Sequence, residues 1–398
     1  MRKNTLAILL SIIILTACTP VLPKISPTLP PASEPGKLVK IPLDVGFGVD
    51  GGWYELYFTD PSHPQADSLR GGPDRKLAAA IDEARLSVDV AIYSFSLWSI
   101  RDALIDAFHR GVQVRIVMES NNRDRDVPQD LIDAGIPILG DRREGLMHNK
   151  FVIIDRSELW VGSMNFTVSG GYKDNNNLLR FNSVKLVENY QKEFDEMFVD
   201  DHFGPDRVSD TPNPSITVDG TIIETYFSPD GGVADEIVDL LSDAEGSIYF
   251  MAFSFTSDDI SEAIQNRAEN GIIVAGVMDA SQIKSNQGGE YDYLVQAGLD
   301  IREDGIEGLM HHKVFIIDEE IVITGSYNFS RSAEERNDEN ILVIHNIAIA
   351  REFLKEFERV FGEEIPTLQE PSVDPDSAPT STGNEKNIQI APLTAIWH

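Results

Sequence analysis

The chain has 398 residues, of which 42% are hydrophobic and 25% are charged, so it can bury one large or two medium cores. This composition excludes a chain that is disordered throughout. The formal net charge of −32 argues against broad binding to nucleic-acid backbones, which depends on lysine and arginine. We expect a solubilising acidic surface, within which a local basic cleft can still exist.

The N-terminus is organised like an export signal. Arg2 and Lys3 form a charged start, and residues 6–15 form an apolar run too short to span a membrane. Cys18, the only cysteine, follows Leu-Thr-Ala, an arrangement that resembles the bacterial lipoprotein signal. The resemblance implies that residues 1–17 are a signal peptide and that Cys18 carries lipid. We therefore expect a protein anchored to a membrane outside the cytoplasm, in the periplasm or at the cell surface.

Three polar stretches rich in proline are predicted to flank or connect folded parts. Residues 18–40 are a flexible tether, residues 201–216 a linker and residues 366–398 a disordered tail. The segments between them, 41–200 and 217–365, are predicted to be two similar lobes.

Along the first lobe, strand and helix patterns alternate. Residues 88–95 and 112–118 are apolar runs that predict strands, and the apolar spacing over 100–108 predicts a helix between them. Residues 151–154 and 159–161 predict two further neighbouring strands. This alternation indicates an α/β sheet covered by helices.

The second lobe repeats the first. GVQVRIVM at 111–118 recurs as GIIVAGVM at 271–278. GLMHNKFVIID at 145–155 recurs as GLMHHKVFIID at 308–318, with a slightly larger offset because the second copy has a longer loop in between. Two copies of this size exclude a solenoid, whose repeats are far shorter. We expect a monomer with two α/β lobes related by a pseudo-two-fold axis.

Both copies contain His-x-Lys, an aspartate after four further residues, and Gly-Ser-x-Asn beyond it. The members are His148, Lys150, Asp155, Ser163 and Asn165 in the first copy, and His311, Lys313, Asp318, Ser326 and Asn328 in the second. Residues two apart on a strand face the same side, so His148 and Lys150 should point into one cleft, as should Ser163 and Asn165. Asp155 and Asp318 are counted with the catalytic motif, although odd spacing from the histidine predicts that Asp155 braces the scaffold.

These residue types suit phosphoryl transfer. Lysine, serine and asparagine supply positive charge and hydrogen-bond donors to phosphate oxygens. One histidine can attack phosphorus while a second protonates the leaving oxygen. Because each copy has one motif histidine, two copies that face each other would complete a single site at their interface.

The paired motifs resemble the signature of the phospholipase D superfamily, HxKxxxxDxxxxxxGSxN, at every position in both copies. The resemblance covers nearly all of residues 50–362, and the form MHNKFVIID is similar to small nuclease-like and cardiolipin-synthase-like members. It implies a duplicated phospholipase D fold and a phosphohistidine mechanism without metal or other cofactor. The adjacent His311 and His312 should face opposite sides of a strand, which makes them a poor chelating pair.

One position differs between the copies. Family members often place an acid well downstream of the motif histidine, where it orients the imidazole and raises its basicity. This position is Glu339 in the second copy, where it is expected to hold His311, and Asn176 in the first, with Asp174 as a candidate replacement. The N-terminal histidine is usually the nucleophile in two-copy members. The resemblance therefore implies that His148 attacks phosphorus and that His311 is the general acid.

The leading hypothesis is a phospholipase D that releases the head group of a phospholipid, with the lipid anchor placing the enzyme beside its substrate. An extracellular nuclease, a phosphatidyl transferase and a sugar-phosphate transferase are alternatives with the same chemistry. A lipoprotein that only binds phosphate is a further alternative, against which the intact histidine and lysine of both copies count. The loops at 119–126 and 282–290 would select the acceptor, and their sequences do not separate these alternatives.

Overall fold

The computed structural model describes residues 38–208 and 210–365. The expected signal peptide, the cysteine expected to carry lipid, most of the expected tether and the C-terminal tail lie outside the described residues. No helix within the described ranges is long and apolar enough to cross a membrane.

The first lobe is built on a nine-stranded mixed sheet in the order β1-β2-β3-β9-β8-β7-β4-β5-β6. Strands β4, β5 and β6 are parallel, and the other neighbours are antiparallel. Its elements are β1 (Val39–Lys40), β2 (Phe47–Asp50), β3 (Tyr54–Phe58), α1 (Pro73–Glu83), β4 (Ser87–Ile92), α2 (Trp98–His109), β5 (Gln113–Met118), α3 (Asp126–Asp133), β6 (Ile138–Gly140), β7 (Lys150–Ile154), β8 (Glu158–Gly162), α4 (Val168–Tyr172), β9 (Asn177–Phe181) and α5 (Val184–Phe198).

The second lobe is built on an eight-stranded sheet in the order β10-β11-β17-β16-β15-β12-β13-β14. Its elements are β10 (Ser215–Val218), β11 (Thr221–Ser228), α6 (Val233–Ser242), β12 (Ser247–Ala252), α7 (Asp258–Glu269), β13 (Ile273–Met278), α8 (Ala280–Ser285), α9 (Tyr291–Gln296), β14 (Asp300–Glu303), β15 (Lys313–Ile317), β16 (Ile321–Gly325), α10 (Arg331–Glu335), β17 (Glu339–His345) and α11 (Ile347–Phe361).

Seven strands correspond between the sheets and follow the same order, from β3 and β11 at one side to β6 and β14 at the other. The duplicated, two-lobed α/β architecture is therefore confirmed. The strands and the helix predicted in the first lobe are also present, within a few residues of their predicted bounds. The predicted linker extends slightly too far, because β10 already begins at Ser215.

Helices α5 and α11 contribute to one hydrophobic core that both lobes share. On α5, Tyr190 packs edge-on against Phe151 of its own sheet and against Phe227 of the other. On α11, Phe353 packs edge-on against Phe58 of the first sheet. The repeated apolar spacing of these helices buries one face of each, and the side chains bridging the sheets fix the lobes against each other.

Asp155 and Asp318 lie at the ends of β7 and β15 away from the motif histidines. Asp155 accepts hydrogen bonds from the backbone N–H groups of Arg85, Leu86 and Ser87, at 2.7–3.1 Å. Asp318 accepts the equivalent three bonds in the second lobe, at 2.7–2.9 Å. The structure corrects their assignment as catalytic residues and agrees with the bracing role predicted for Asp155.

Replacing Asp155 by alanine is expected to lower the free energy of unfolding by about 2 kcal/mol, because three backbone donors lose a charged acceptor. Urea denaturation measures this change. The control is Asp133→Ala, which removes an exposed carboxylate that has no hydrogen-bond partner in the described part of the chain. Equal unfolding midpoints for the two variants would contradict the bracing role.

Candidate active site

The two histidine motifs meet where each lobe reaches into the other. The His148 backbone N–H donates to the Asp338 carbonyl at 3.0 Å, and Asp338 donates back to Leu146 at 2.8 Å. In the same way, His311 donates to the Asn175 carbonyl at 2.9 Å, and Asn175 donates back to Leu309 at 2.8 Å. This reciprocal pairing is the pattern expected of a pseudo-two-fold interface. It brings both motifs to one shared site.

The imidazole partners cross between lobes. His148 Nδ1 lies 2.7 Å from Glu339 Oε2, whereas His311 Nδ1 lies 2.9 Å from Asn176 Oδ1 and 3.1 Å from the Ser163 carbonyl. The expectation that Glu339 holds His311 is therefore wrong. Glu339 follows His311 within the same copy of the sequence, but the strand that carries it reaches the other lobe's histidine.

Asn176 is held so that its oxygen faces His311. Its Nδ2 donates to the Gly170 carbonyl at 3.0 Å, and the Ser163 hydroxyl donates to its Oδ1 at 2.9 Å. An amide oxygen and a carbonyl oxygen can only accept, so His311 carries its proton on Nδ1 and leaves Nε2 free. Asp174 does not replace the missing acid, because its carboxylate accepts from the Leu309 backbone N–H at 3.1 Å instead.

Burial sets the charge of the histidines in the site. It lowers the pKa of His148 to about 4, with Glu339 opposing the fall and Lys150 adding to it. It also lowers the pKa of His311 well below its ordinary value, assisted by Lys313, Lys150 and His148. Burial alone would raise the pKa of Glu339, but His148 and Lys150 bring that pKa below its ordinary value. Both imidazoles are therefore neutral near pH 7, and Glu339 is ionised.

Each motif lysine binds the backbone of the histidine two residues before it. Lys150 Nζ donates to the His148 carbonyl at 2.6 Å, and Lys313 Nζ donates to the His311 carbonyl at 2.8 Å. Burial lowers the pKa of Lys150 to about 7 and lowers that of Lys313 well below its ordinary value. An anionic phosphate that enters beside them would favour their charged forms.

The serines and asparagines of the Gly-Ser-x-Asn motifs differ in their placement. Ser163 and Ser326 are fully buried, and their hydroxyls accept from the backbone N–H of Asn177 and of Asn340, both at 3.1 Å. These bonds tie each serine to a neighbouring strand, and the phosphate-binding or orienting role predicted for Ser163 and Ser326 stays a prediction. Asn165 and Asn328 are partly exposed, and each has a buried Oδ1 without a hydrogen-bond partner in the described residues. The Oδ1 atoms can only accept, so the Nδ2 groups, which donate to no described residue, are the parts of these amides suited to phosphate oxygens.

Sequence reasoning missed two aromatic residues at the site. The Tyr93 ring lies 4.9 Å from the His148 ring and 5.4 Å from Lys150 Nζ, and the Phe253 ring lies 4.7 Å from His311 and 4.5 Å from Lys313 Nζ. Both belong to the repeated segments AIYSFS and MAFSFT, whose equivalence between copies was a signal for their common position. These rings cover the histidines and help to exclude water from them.

Among residues 38–208 and 210–365, no group of three or more histidine, cysteine, aspartate or glutamate side chains is placed to hold a metal ion. The site instead offers neutral imidazoles, amide groups, two buried lysines and one carboxylate. This set can bind a phosphodiester, supply a nitrogen nucleophile and move a proton.

A family model described as "Cardiolipin synthase, PLD-like domain" matches residues 77–198 and 237–361, more than half of the chain. The phospholipase D of Rickettsia prowazekii is 37% identical over 133 residues, which are 33% of this chain and 64% of that protein. The mitochondrial cardiolipin hydrolase of Mus musculus is 36% identical over 124 residues, 31% of this chain and 56% of that protein. The chain thus spans less than two-thirds of these curated relatives.

Among solved structures, the phosphatidylserine synthase of Haemophilus influenzae aligns over 74% of this chain and 85% of its own, with a TM-score of 0.56. At 12% sequence identity, this alignment speaks for the fold alone. Its coverage includes parts of both lobes, which agrees with the duplicated architecture.

The pKa of His148 predicts how stability depends on pH. In the unfolded chain the His148 imidazole takes up a proton near pH 6.5, whereas in the folded protein it does so only near pH 4. The free energy of unfolding is therefore highest, as far as this group is concerned, above pH 6.5, and it falls as the pH is lowered towards 4. When the pH is lowered from 7 to 5, the free energy of unfolding of the wild type should fall by about 2 kcal/mol more than that of His148→Gln. Urea denaturation at both pH values measures the difference, with exposed His109→Gln as the control. Parallel pH profiles for wild type and His148→Gln would contradict this assignment.

Proposed function

Because the chain belongs to the phospholipase D superfamily, we propose that it is an exported phosphodiesterase that hydrolyses phospholipid head groups through a phosphohistidine. The observation that carries the proposal is the crossed pair of buried histidines, each oriented by the opposite lobe. One site then has a nucleophile and a proton donor on separate lobes, as a two-step phosphoryl transfer needs.

In the proposed reaction, His148 Nε2 attacks phosphorus while the bond to the leaving oxygen breaks. Phosphorylation places positive charge on the ring, which Glu339 compensates through the Nδ1 proton. The anionic substrate favours the protonated form of His311, whose Nε2 proton passes to the leaving oxygen. Neutral His311 then takes a proton from water, hydroxide attacks phosphorus, and the P–N bond to His148 breaks.

Phospholipid is preferred as the substrate for two reasons. A chain of net charge −32 is poorly suited to a polyanion, and two curated relatives carry names of lipid hydrolases. A lipid on Cys18 would hold the enzyme outside the cytoplasm beside that substrate. The second candidate is an extracellular nuclease, favoured by the nuclease-like form of the segment MHNKFVIID.

The substrate assignment is tested on phospholipid vesicles and on single- and double-stranded DNA, each with and without EDTA. Release of the head group is expected, with a rate that EDTA leaves unchanged, because lysine and asparagine donors stabilise the phosphate charge. Cleavage of DNA but not of phospholipid would replace the first candidate with the second. Strict dependence on added Mg²⁺ or Zn²⁺ would contradict the proposed route.

The histidine roles predict that the two alanine variants fail differently. With a substrate whose leaving group needs little protonation, His311→Ala should form phosphohistidine and then stall, because no base activates water. His148→Ala should form none. Glu339→Gln should slow formation of the intermediate by about 10²-fold, since the phosphorylated ring loses its countercharge.

Acid-free digestion and mass spectrometry locate the phosphoryl group. Asn176→Ala is the matched control for Glu339→Gln, because it removes the neutral imidazole partner of the other lobe. A label on His311 would reverse the assigned roles. A lack of covalent label in both alanine variants and in the wild type would contradict the phosphohistidine route.

A further inference from the structure

The negative charge is divided unevenly between the lobes. Residues 41–200 contain 17 lysines and arginines against 26 aspartates and glutamates, a formal charge of −9. Residues 217–365 contain 9 against 31, a formal charge of −22. The duplicated lobes therefore present different electrostatic surfaces on a common fold.

A cavity of about 800 Å³ lies on the first lobe, where helices α1 and α2 begin. Arg70, Arg75 and Lys76 line it, and none of them forms an ion pair with a described residue. Leu69 and Trp98 line it as well, with 41% and 68% of their surfaces exposed. An exposed tryptophan and leucine beside three free cations form an amphipathic surface.

Three carboxylates also border this cavity, and two of them already have an ion-pair or hydrogen-bond partner. Asp102 binds Arg101 at 2.8 Å, and buried Asp74 accepts from the Tyr172 hydroxyl at 2.6 Å. Asp44 is exposed and has no ion pair within the described chain. The three cations therefore outnumber the exposed, unpaired carboxylate.

The second lobe lacks this surface. In the alignment that equates Gly111 with Gly271, Arg75 and Lys76 are replaced by Asp235 and Glu236, and Trp98 is replaced by Asp258. Between β3 and α1 the first lobe has fourteen residues, including Leu69 and Arg70, where the second has four between β11 and α6. The fold itself does not require these residues, because the other copy folds without them.

The surface lies at the catalytic end of the lobe. Leu97, in the wall of the cavity, donates its backbone N–H to the Phe166 carbonyl at 2.9 Å, and Phe166 follows Asn165 of the site. A partner that covers the cavity would therefore lie close to the segment that carries Asn165 of the site.

We propose that the surface formed by Leu69, Arg70, Arg75, Lys76 and Trp98 docks the first lobe on a membrane that contains anionic phospholipids. Arginine and lysine bind the negative head groups, and tryptophan and leucine favour the boundary between head groups and acyl chains. The strongly acidic second lobe is repelled by the same membrane, so docking orients the protein. The choice of lipid over another polyanion rests on the proposed function, whereas the docking itself is a binding property.

Binding is tested with the full chain carrying Cys18→Ser in every sample, so that no attached lipid contributes. The vesicles contain phosphatidylcholine with brominated acyl chains, with or without phosphatidylglycerol. Bromine quenches tryptophan only on contact, so quenching that phosphatidylglycerol increases and that Trp98→Phe removes is the expected result. Quenching that Trp98→Phe leaves unchanged would overturn the proposal.

Charge is tested with Arg75→Asp/Lys76→Glu, which installs the residues of the second lobe. Vesicle binding in the presence of phosphatidylglycerol should weaken at least about 20-fold, given roughly fivefold for each cation near an anionic surface. The matched control is Arg85→Glu/Arg156→Glu, with the same change in net charge at the opposite end of the lobe. The second lobe carries Glu245 and Glu319 at those positions, so the fold tolerates them.

An equal loss of binding in the control would assign the effect to overall charge and overturn the proposal. Loss of binding to single-stranded DNA, with vesicle binding unchanged, would overturn it in favour of a nucleic acid. Hydrolysis of bis-p-nitrophenyl phosphate, a water-soluble substrate, should be equal in both double variants. A failure of phospholipid hydrolysis alone would count against the proposed function and leave the vesicle result standing as a test of docking.

Discussion

The site depends on a reciprocal exchange between the lobes, in which each lobe supplies the hydrogen-bond partners of the other's histidine. Residues 337–340 bind the backbone and the imidazole of His148, and residues 174–177 do the same for His311. Removing these histidines from water is costly unless their polar atoms are satisfied. Since the partners come from the opposite lobe, neither lobe alone can form this site, and the shared core holds both in register.

Duplication allowed the two halves of the exchange to diverge. A neutral amide at 176 is enough to fix the tautomer of His311, but only a carboxylate, Glu339, can also compensate positive charge on His148. Compensating changes occur nearby. Asp338 binds Arg143 of the first lobe at 2.6 Å, whereas its counterpart Asn175 binds Arg359 of the second lobe at 2.7 Å. The lobes retain one geometry with unequal charges, which suits a reaction that needs unequal histidines.

The repeat and the motif spacing were sufficient to predict the fold class, the principal strands of the first lobe and the gathering of both motifs at one interface. They were not sufficient to pair Glu339 with its histidine, since the pairing joins residues 191 positions apart and depends on how the lobes pack. Strand periodicity predicted that Ser163 faces the cleft. It could not reveal that the hydroxyl is used by Asn176 and Asn177, because such bonds depend on neighbouring strands.

The distribution of charge also limits which class of substrate the site can favour. The acidic residues lie mostly outside, and the cations of the site are buried beneath aromatic rings, where burial lowers the pKa of Lys150 to about 7. Such lysines gain a proton when one anion enters the cleft beside them. They contribute little to the electrostatic attraction of a distant polyanion. A polyanion needs rows of exposed cations along its path, and the second lobe, at −22, opposes it. A single phosphodiester that enters the site brings only its own charge, so the second lobe opposes it far less than it opposes a polyanion.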